Sequence, residues 1–394
     1  MYMTRSFLPV GQGAFYVERF HNSGGHSDNI VVYDCGSTSK ECVERAIKRA
    51  FASKRASGNR KVVIDALFIS HLHYDHISGI EALLKRCEVK RIYLPYTTPE
   101  EREILWLGCV VLNYVNENSF AANFISDPVG AIRRVDYGGE IFIVEADRYD
   151  NENRAEPNGN YGANRISSGE NVIEGWNDFT DGFEWKYIPY ALKQESRCDE
   201  LKQLLQVDSA KEIVEMWMND KDGATRVKEA YKSLAEGSDL NERTLVLYSG
   251  GSGFEIMLPL RCNPERWMKR VLNSKCGYRD KIGCVYMGDY NAQKYWEELR
   301  AYVLNRVCAK IGLFQVPHHG SRASFNEALL DYDAEFVISA GCTNRHGHPA
   351  DEVVGKILSK EKALHIVSDC LSSEFVQVLL PRGLRSFGLV PWKN

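Results

Sequence analysis

Residues 61–76 read KVVIDALFISHLHYDH, a largely apolar run of strand length that stops abruptly in a knot of imidazoles and a carboxylate. The apolar part, Lys61 to Ser70, predicts a buried strand. Directly after the knot, Ile77, Ile80, Leu83 and Leu84 recur at helical spacing and Val89 to Leu94 again has strand character, so the stretch predicts a β-loop-α-β unit. Three of the ten histidines of the chain fall in its loop, as His71, His73 and His76 around Asp75. Imidazole and carboxylate together suit Zn²⁺, Mn²⁺ or Fe, and a rigid strand end lets closely spaced side chains converge on two ions. An ordinary polar loop is the weaker reading, because burying several imidazoles without partners is costly.

Upstream, Gly13 to Phe20 and Asn29 to Asp34 are β-branched, aromatic and roughly alternating, with a polar stretch from His21 to Asp28 between them. They predict two paired strands, followed by a helix over 40–52. Downstream, residues 98–126 have helical character, 149–182 is a long Asn- and Gly-rich loop, and 195–236 is charged and helix-favouring. Regular α/β grammar then resumes. Arg243 to Tyr248 and Phe254 to Leu258 suggest a hairpin, and Gly283 to Met287 a strand ending in Gly288-Asp289. After a helix carrying Trp296, Leu299, Val303 and Val307, the strand Ile311 to Val316 ends in His318-His319-Gly320-Ser321. Asp289 and the histidine pair thus stand just beyond strand carboxyl ends, where ligands gather in open α/β sheets. A last βα unit, Glu335 to Ala340 and Pro349 to Leu358, and a strand near Glu374 to Leu380 complete the chain.

Composition bounds the possibilities. In 394 residues, 44% apolar and 26% charged, the balance is that of a globular protein with a sizeable core, and a collagen, coiled coil or disordered chain is excluded. With 49 Lys+Arg against 53 Asp+Glu the net charge is −4, so bulk charge does not announce a nucleic-acid binder. Any polyanion must be held locally. Arg45, Lys48, Arg49, Lys54, Arg55, Arg60 and Lys61 form a run without an acidic residue, either a phosphate-tracking patch or a solvated face. Tyr96, Trp106, Trp176 and Trp185 are candidates for base stacking, though aromatics in a domain of this size are mostly core. The apolar run Ile104 to Leu112 falls well short of the about 20 residues of a spanning helix, and the amino end lacks an apolar export segment. No membrane association and a cytoplasmic location are the expectations. The 11 cysteines never form a C-x-x-C pair, which argues against a disulfide framework or a cysteine zinc site.

Asp34 after a strand, H-x-H-x-D-H at 71–76, Gly288-Asp289 and His318-His319-Gly320-Ser321 together resemble the metallo-β-lactamase superfamily of binuclear metal hydrolases. Gly11-Gln12-Gly13, Asn241, and Ser339-Ala340-Gly341 followed by Asn344 and His348-Pro349 are similar to the hydrolase domain of the competence protein ComEC. The resemblance covers residues 6–95 and about 240–380. It implies an α/β fold, an αββα β-sandwich flanked by helices, with 1–97 and 239–394 as the hydrolase domain and 98–238 as an insertion or helical cap. It also implies two divalent ions, Zn²⁺ or Mn²⁺: His71 and His73 hold one, Asp75 and His76 the other, Asp289 bridges them, and Asp34 orients the ligands. The superfamily generally supplies a further histidine before the bridging aspartate, whereas this chain has none from Ile77 to Gly288. Either His318 or His319 fills that place, or one ion is held by fewer side chains and more water.

Two such ions lower the pKa of a shared water, so that hydroxide becomes the nucleophile, and they stabilise an anionic transition state. The catalytic candidates are Asp75, Asp34 and His348, the last for protonating a leaving oxygen or contacting phosphate. Ser321, Asn344 and His346 are candidates for substrate binding. The expected activity is a phosphodiesterase or nuclease cleaving DNA or RNA. A hydrolase of a cyclic nucleotide, lactone or thioester is the alternative, and a non-catalytic regulatory module is the third reading.

Overall fold

Side chains alternate across each strand, and the sheets use that alternation to build separate apolar layers. A computed structural model describes residues 2–21, 28–52, 61–111, 116, 119–135, 137–145, 162–175, 184–193, 198–219, 221–235, 243–257 and 281–381. Nine strands, numbered along the chain, form one sheet. In spatial order they are β12 (Phe254–Met257), β17 (Phe375–Pro381), β1 (Tyr2–Phe7), β2 (Tyr16–His21), β3 (Asn29–Tyr33), β5 (Ala66–Phe68), β7 (Arg91–Pro95), β8 (Glu140–Glu145) and β9 (Asn164–Ser167). Six form the other: β10 (Trp185–Lys193), β11 (Arg243–Gly251), β13 (Gly283–Tyr286), β14 (Ile311–Gln315), β15 (Glu335–Ser339) and β16 (Leu364–Val367). β4 (Val62–Ile64) and β6 (Cys87–Val89) make a separate pair.

Val31 and Tyr33 of β3 join Leu245, Tyr286, Leu313 and Val337 of the second sheet in one buried cluster, so the two sheets share a core. The intervening Ile30 and Val32 face the opposite way, onto Val43 and Ile47 of α1 (Lys40–Ala50). On the far side of the second sheet, Val285, Phe314 and Phe336 pack with Leu299, Val303, Val353 and Ile357 from helical segments. β3, β5 and β7 run parallel to one another, as do β13, β14, β15 and β16. In each parallel group the strand carboxyl ends therefore share one edge, where the polar motifs follow β3, β5, β13 and β14.

Several elements differ from their sequence-based expectation. The strand expected over 61–70 is broken at Asp65, whose carboxylate accepts the Ile30 N–H and pairs with the Lys90 ammonium, each at 2.8 Å. β4 is thereby diverted to pair with β6. The hairpin expected around Ser249–Gly253 does not form: β11 pairs with β10 and β13, whereas β12 crosses to β17 in the other sheet. Gly253, at φ +85°, makes the turn between them.

The segment 98–238 is only in part a helical layer. Its strands β8 and β9 extend the first sheet and β10 pairs with β11 in the second. Its helices α3 (Cys198–Leu205), α4 (Ala210–Asn219) and α5 (Lys221–Ala235) pack through Leu201, Ile213 and Val227 onto Ile104 and Leu107 of α2 (Pro99–Val111). Among the described residues, that cluster contains no strand residue. The part of the expected loop 149–182 that is described includes the short edge strand β9. Asn241, Trp176, Lys54, Arg55 and Arg60 lie outside the described residues, while Trp185 is buried and donates its Nε1–H to Ser249 Oγ. Among the described residues, no helix is long and apolar enough to cross a membrane.

Candidate metal centre

The site begins with β5 running into a loop that Leu72, 1% exposed, anchors in the core below the first sheet. Asp34 leaves β3 at φ +55° and points its carboxylate at that loop. Its Oδ1 accepts the Ser70 N–H at 2.7 Å, and its Oδ2 accepts the Ser70 hydroxyl at 2.7 Å and approaches His76 Nδ1 at 2.8 Å. Ser70 Oγ in turn lies 2.8 Å from His71 Nδ1. Because the Ser70 hydroxyl proton goes to Asp34, the oxygen is free to accept from His71 Nδ1–H, and His76 Nδ1–H donates to Asp34. Both rings then present Nε2 as a bare nitrogen. His319 is held alike, its Nδ1–H donating to the Ser339 carbonyl at 2.9 Å.

These nitrogens and two carboxylates converge on two groups. His71, His73 and Asp289 form one and Asp75, His76 and His319 the other; in each, one donor atom per residue lies within 4.8 Å of the others. Asp289 stands between them. Its Oδ2 is 3.6 Å from His71 Nε2, while its Oδ1 is 3.2 Å from His76 Nε2 and 3.7 Å from His319 Nε2. His318 is outside both groups, with Nδ1 3.1 Å from Ser324 Oγ and Nε2 3.8 Å from Asp289 Oδ2. Asp34, His318 and His319 all have φ between +50° and +55°, a conformation costing of order 1–3 kcal/mol each that persists only where surrounding contacts hold it.

Three buried atoms test whether cations fit. His71 Nε2, His76 Nε2 and Asp289 Oδ1 are buried without a well-formed hydrogen bond, the last two only facing each other at 3.2 Å, and a polar atom left so costs about 1–3 kcal/mol. All three belong to the donor groups, and cations there satisfy them together. The nitrogen and oxygen donor set is that of zinc or manganese chemistry. Without an ion, protons do the balancing. Although burial opposes its charge, the Asp289, Asp34 and Asp75 carboxylates hold the His76 imidazole well above its ordinary value. Burial also opposes ionisation of Asp289 and Asp75, yet the surrounding imidazoles, His76 foremost, hold both carboxyls below their usual range.

Beside the centre lies a cavity of about 330 Å³ lined by Ser321, Arg322, Ala323, His346, Gly347, His348 and Ala350. The His348 ring is 5.3 Å from that of His318. Burial, then the neighbouring His318, His319 and His346, lower its pKa to about 4, so it is a neutral hydrogen-bonding ring at pH 7 rather than a ready proton donor. Asn344 does not line the cavity; its Oδ1 accepts the N–H groups of His346 and His348, and its Nδ2 donates to the carbonyls of Gly341 and His348. It shapes the loop. Asp34, fully buried, likewise positions His76 and Ser70. Two contributors escaped sequence reasoning: Ser70, and Gln315, the one amide in the otherwise apolar run Ile311 to Val316.

Residues 14–113 match the family model of the Metallo-beta-lactamase superfamily, a span that takes in Asp34 and the whole of 71–76 but not Asp289 or His319. A search of curated proteins finds no match. Members of that superfamily are generally hydrolases and typically bind divalent metals, so the match and the paired donor groups together point to a metal-dependent hydrolase.

Proposed function

We propose that the chain is a binuclear metal phosphodiesterase acting on nucleic acid, with DNA as its first expected substrate, built on an αββα sandwich. The observation that carries the reading is Asp289 standing between two three-residue donor groups, beside a cavity lined by two imidazoles and by Arg322, whose guanidinium pairs with Glu352 at 3.0 Å. That lining suits an anionic ester. His71, His73 and Asp289 would hold one ion, and Asp75, His76 and His319 the other. Divalent ions, when bound, supply Lewis acidity and acidify water. Asp34 and Ser70 keep the imidazole Nδ1 protons turned away from the centre. Arg322 and Ser321 bind the non-bridging phosphate oxygens, and the neutral His348 ring hydrogen-bonds to the ester. Hydrolysis places the oxygen of water on phosphorus and its proton on the departing alkoxide.

Extended contact with a polymer is supported less well by the basic run. Arg45 donates to the Asp369 carbonyl and Arg49 pairs with Glu374, so those charges are partly engaged. The cavity volume favours a second reading, hydrolysis of a small phosphodiester such as a cyclic nucleotide, since it matches the low end of small-ligand sites. Incubating plasmid, oligonucleotides and cyclic nucleotides with the purified protein and Mn²⁺ or Zn²⁺ separates the two. Cleavage that needs the metal and is lost in Asp75→Asn and His76→Ala supports the proposal; metal-independent or mutation-insensitive cleavage ends it.

A further inference from the structure

We infer that Gln315 is a positioning residue that sets the Asp289 carboxylate between the two donor groups, an inference that rests on reading those groups as a metal centre. Gln315 ends β14 and is 3% exposed. Its Oε1 accepts the N–H groups of Met287 and Gly288, both at 2.7 Å. Its Nε2 donates to the carbonyls of Gly288 at 3.3 Å and Val316 at 2.6 Å. The full capacity of the amide, two acceptor and two donor positions, is spent on these four backbone groups. The Gly288 carbonyl also accepts the His318 N–H at 2.9 Å. One side chain therefore clasps the turn that delivers Asp289 to the turn that delivers His318 and His319.

The loop bearing His71 meets the same point. Gly288 has φ +52°, and a Cβ there would stand 2.7 Å from Ser70 Cβ, so the turn is seated directly against the residue that orients His71. Gln315 touches no donor atom itself. It acts through the backbone of Gly288, and its loss frees the Asp289 side chain from its place between the groups.

The test is Zn²⁺ affinity, measured by competition with a chromophoric chelator on the full chain, in Gln315→Met, which keeps the length and removes every hydrogen bond. Binding is expected to weaken about 10–100-fold, the usual cost of removing a partner that orients metal ligands. Ile213→Ala, a cavity variant in the cluster of α2 with α3, α4 and α5, is the control for stability alone: it should lower Tm and leave Zn²⁺ affinity unchanged. Gln315→Glu accepts from both amides but cannot donate when ionised, and should fall between wild type and Gln315→Met; it carries the comparison if Gln315→Met does not fold. Wild-type affinity in the Gln315 variants, with wild type itself binding Zn²⁺, overturns the inference alone. A wild-type protein that binds no Zn²⁺ overturns the reading of the centre on which it rests.

Discussion

Nε2 of His319 lies 3.1 Å from Oδ2 of Asp75, closing a distance of 244 residues along the chain. The contact joins the carboxyl edge of β14 to that of β5 across the two sheets, so the candidate site exists only once both sheets are packed. It also separates the two adjacent histidines. His319 turns inward, anchored by the Ser339 carbonyl, whereas His318 stays half-buried beside Ser324.

Removing each histidine should therefore have different consequences. His319→Ala is expected to reduce bound metal from two ions to one per chain, while His318→Ala retains both. Elemental analysis after dialysis against metal-free buffer reads the difference, and equal stoichiometry in the two variants would contradict the assignment.

Asp34→Asn keeps the shape but offers an amide where His76 Nδ1 and Ser70 need an acceptor. Zn²⁺ affinity should fall about 10–100-fold although Asp34 touches no ion. Isothermal titration of the purified variant checks this; unchanged affinity would mean that the Asp34 contacts are ornamental to metal binding.

Proton linkage gives a signed expectation. The raised pKa of His76 contributes stability to the metal-free fold that is complete below about pH 6.5 and is lost as pH rises through the higher folded value. The depressed pKa of Asp289 contributes stability present above about pH 3.8 and lost as pH falls through its folded value. Metal-free Tm should thus decline above about pH 6.5, and because an ion replaces the His76 proton, the rise in Tm on adding Zn²⁺ should grow over the same window. Calorimetry with and without metal between pH 5.5 and 8.5 measures both (a window of about three units around the ordinary histidine value); an increment that shrinks with pH would be inconsistent with the linkage.

Stability and metal binding should separate at Arg5 and Glu18. This fully buried pair, 2.6 Å apart, is completed by Gln377, Tyr187, Ser249 and Tyr286 and ties β1 and β2 to the second sheet. Arg5→Met strands the Glu18 carboxylate and should destabilise by about 3–5 kcal/mol. Urea denaturation reports the loss, and the folded fraction should still bind metal.

How far the sequence could be read follows from which contacts are local. The 71–76 cluster and the β2–β3 pair are legible because each depends on neighbours in the chain. Asp289 and the histidine pair are legible as strand-end residues. The choice of His319 over His318 is not, since both share the same backbone conformation and the difference is made by the Ser339 carbonyl, twenty residues away, which holds the His319 ring. The crossing of β12 to β17 is likewise hidden, because Gly-Ser-rich residues permit a hairpin and a crossover equally. Asp65 reads as one polar residue in an apolar run until Lys90 and Ile30 are brought beside it.

Anomalous diffraction from crystals grown with Mn²⁺ or Zn²⁺ would locate the ions themselves. Two peaks about 3.5–4 Å apart are expected, one served by His71 and His73, the other by Asp75, His76 and His319, with Asp289 reaching both. A single peak, or none among these side chains, would contradict the two-ion centre.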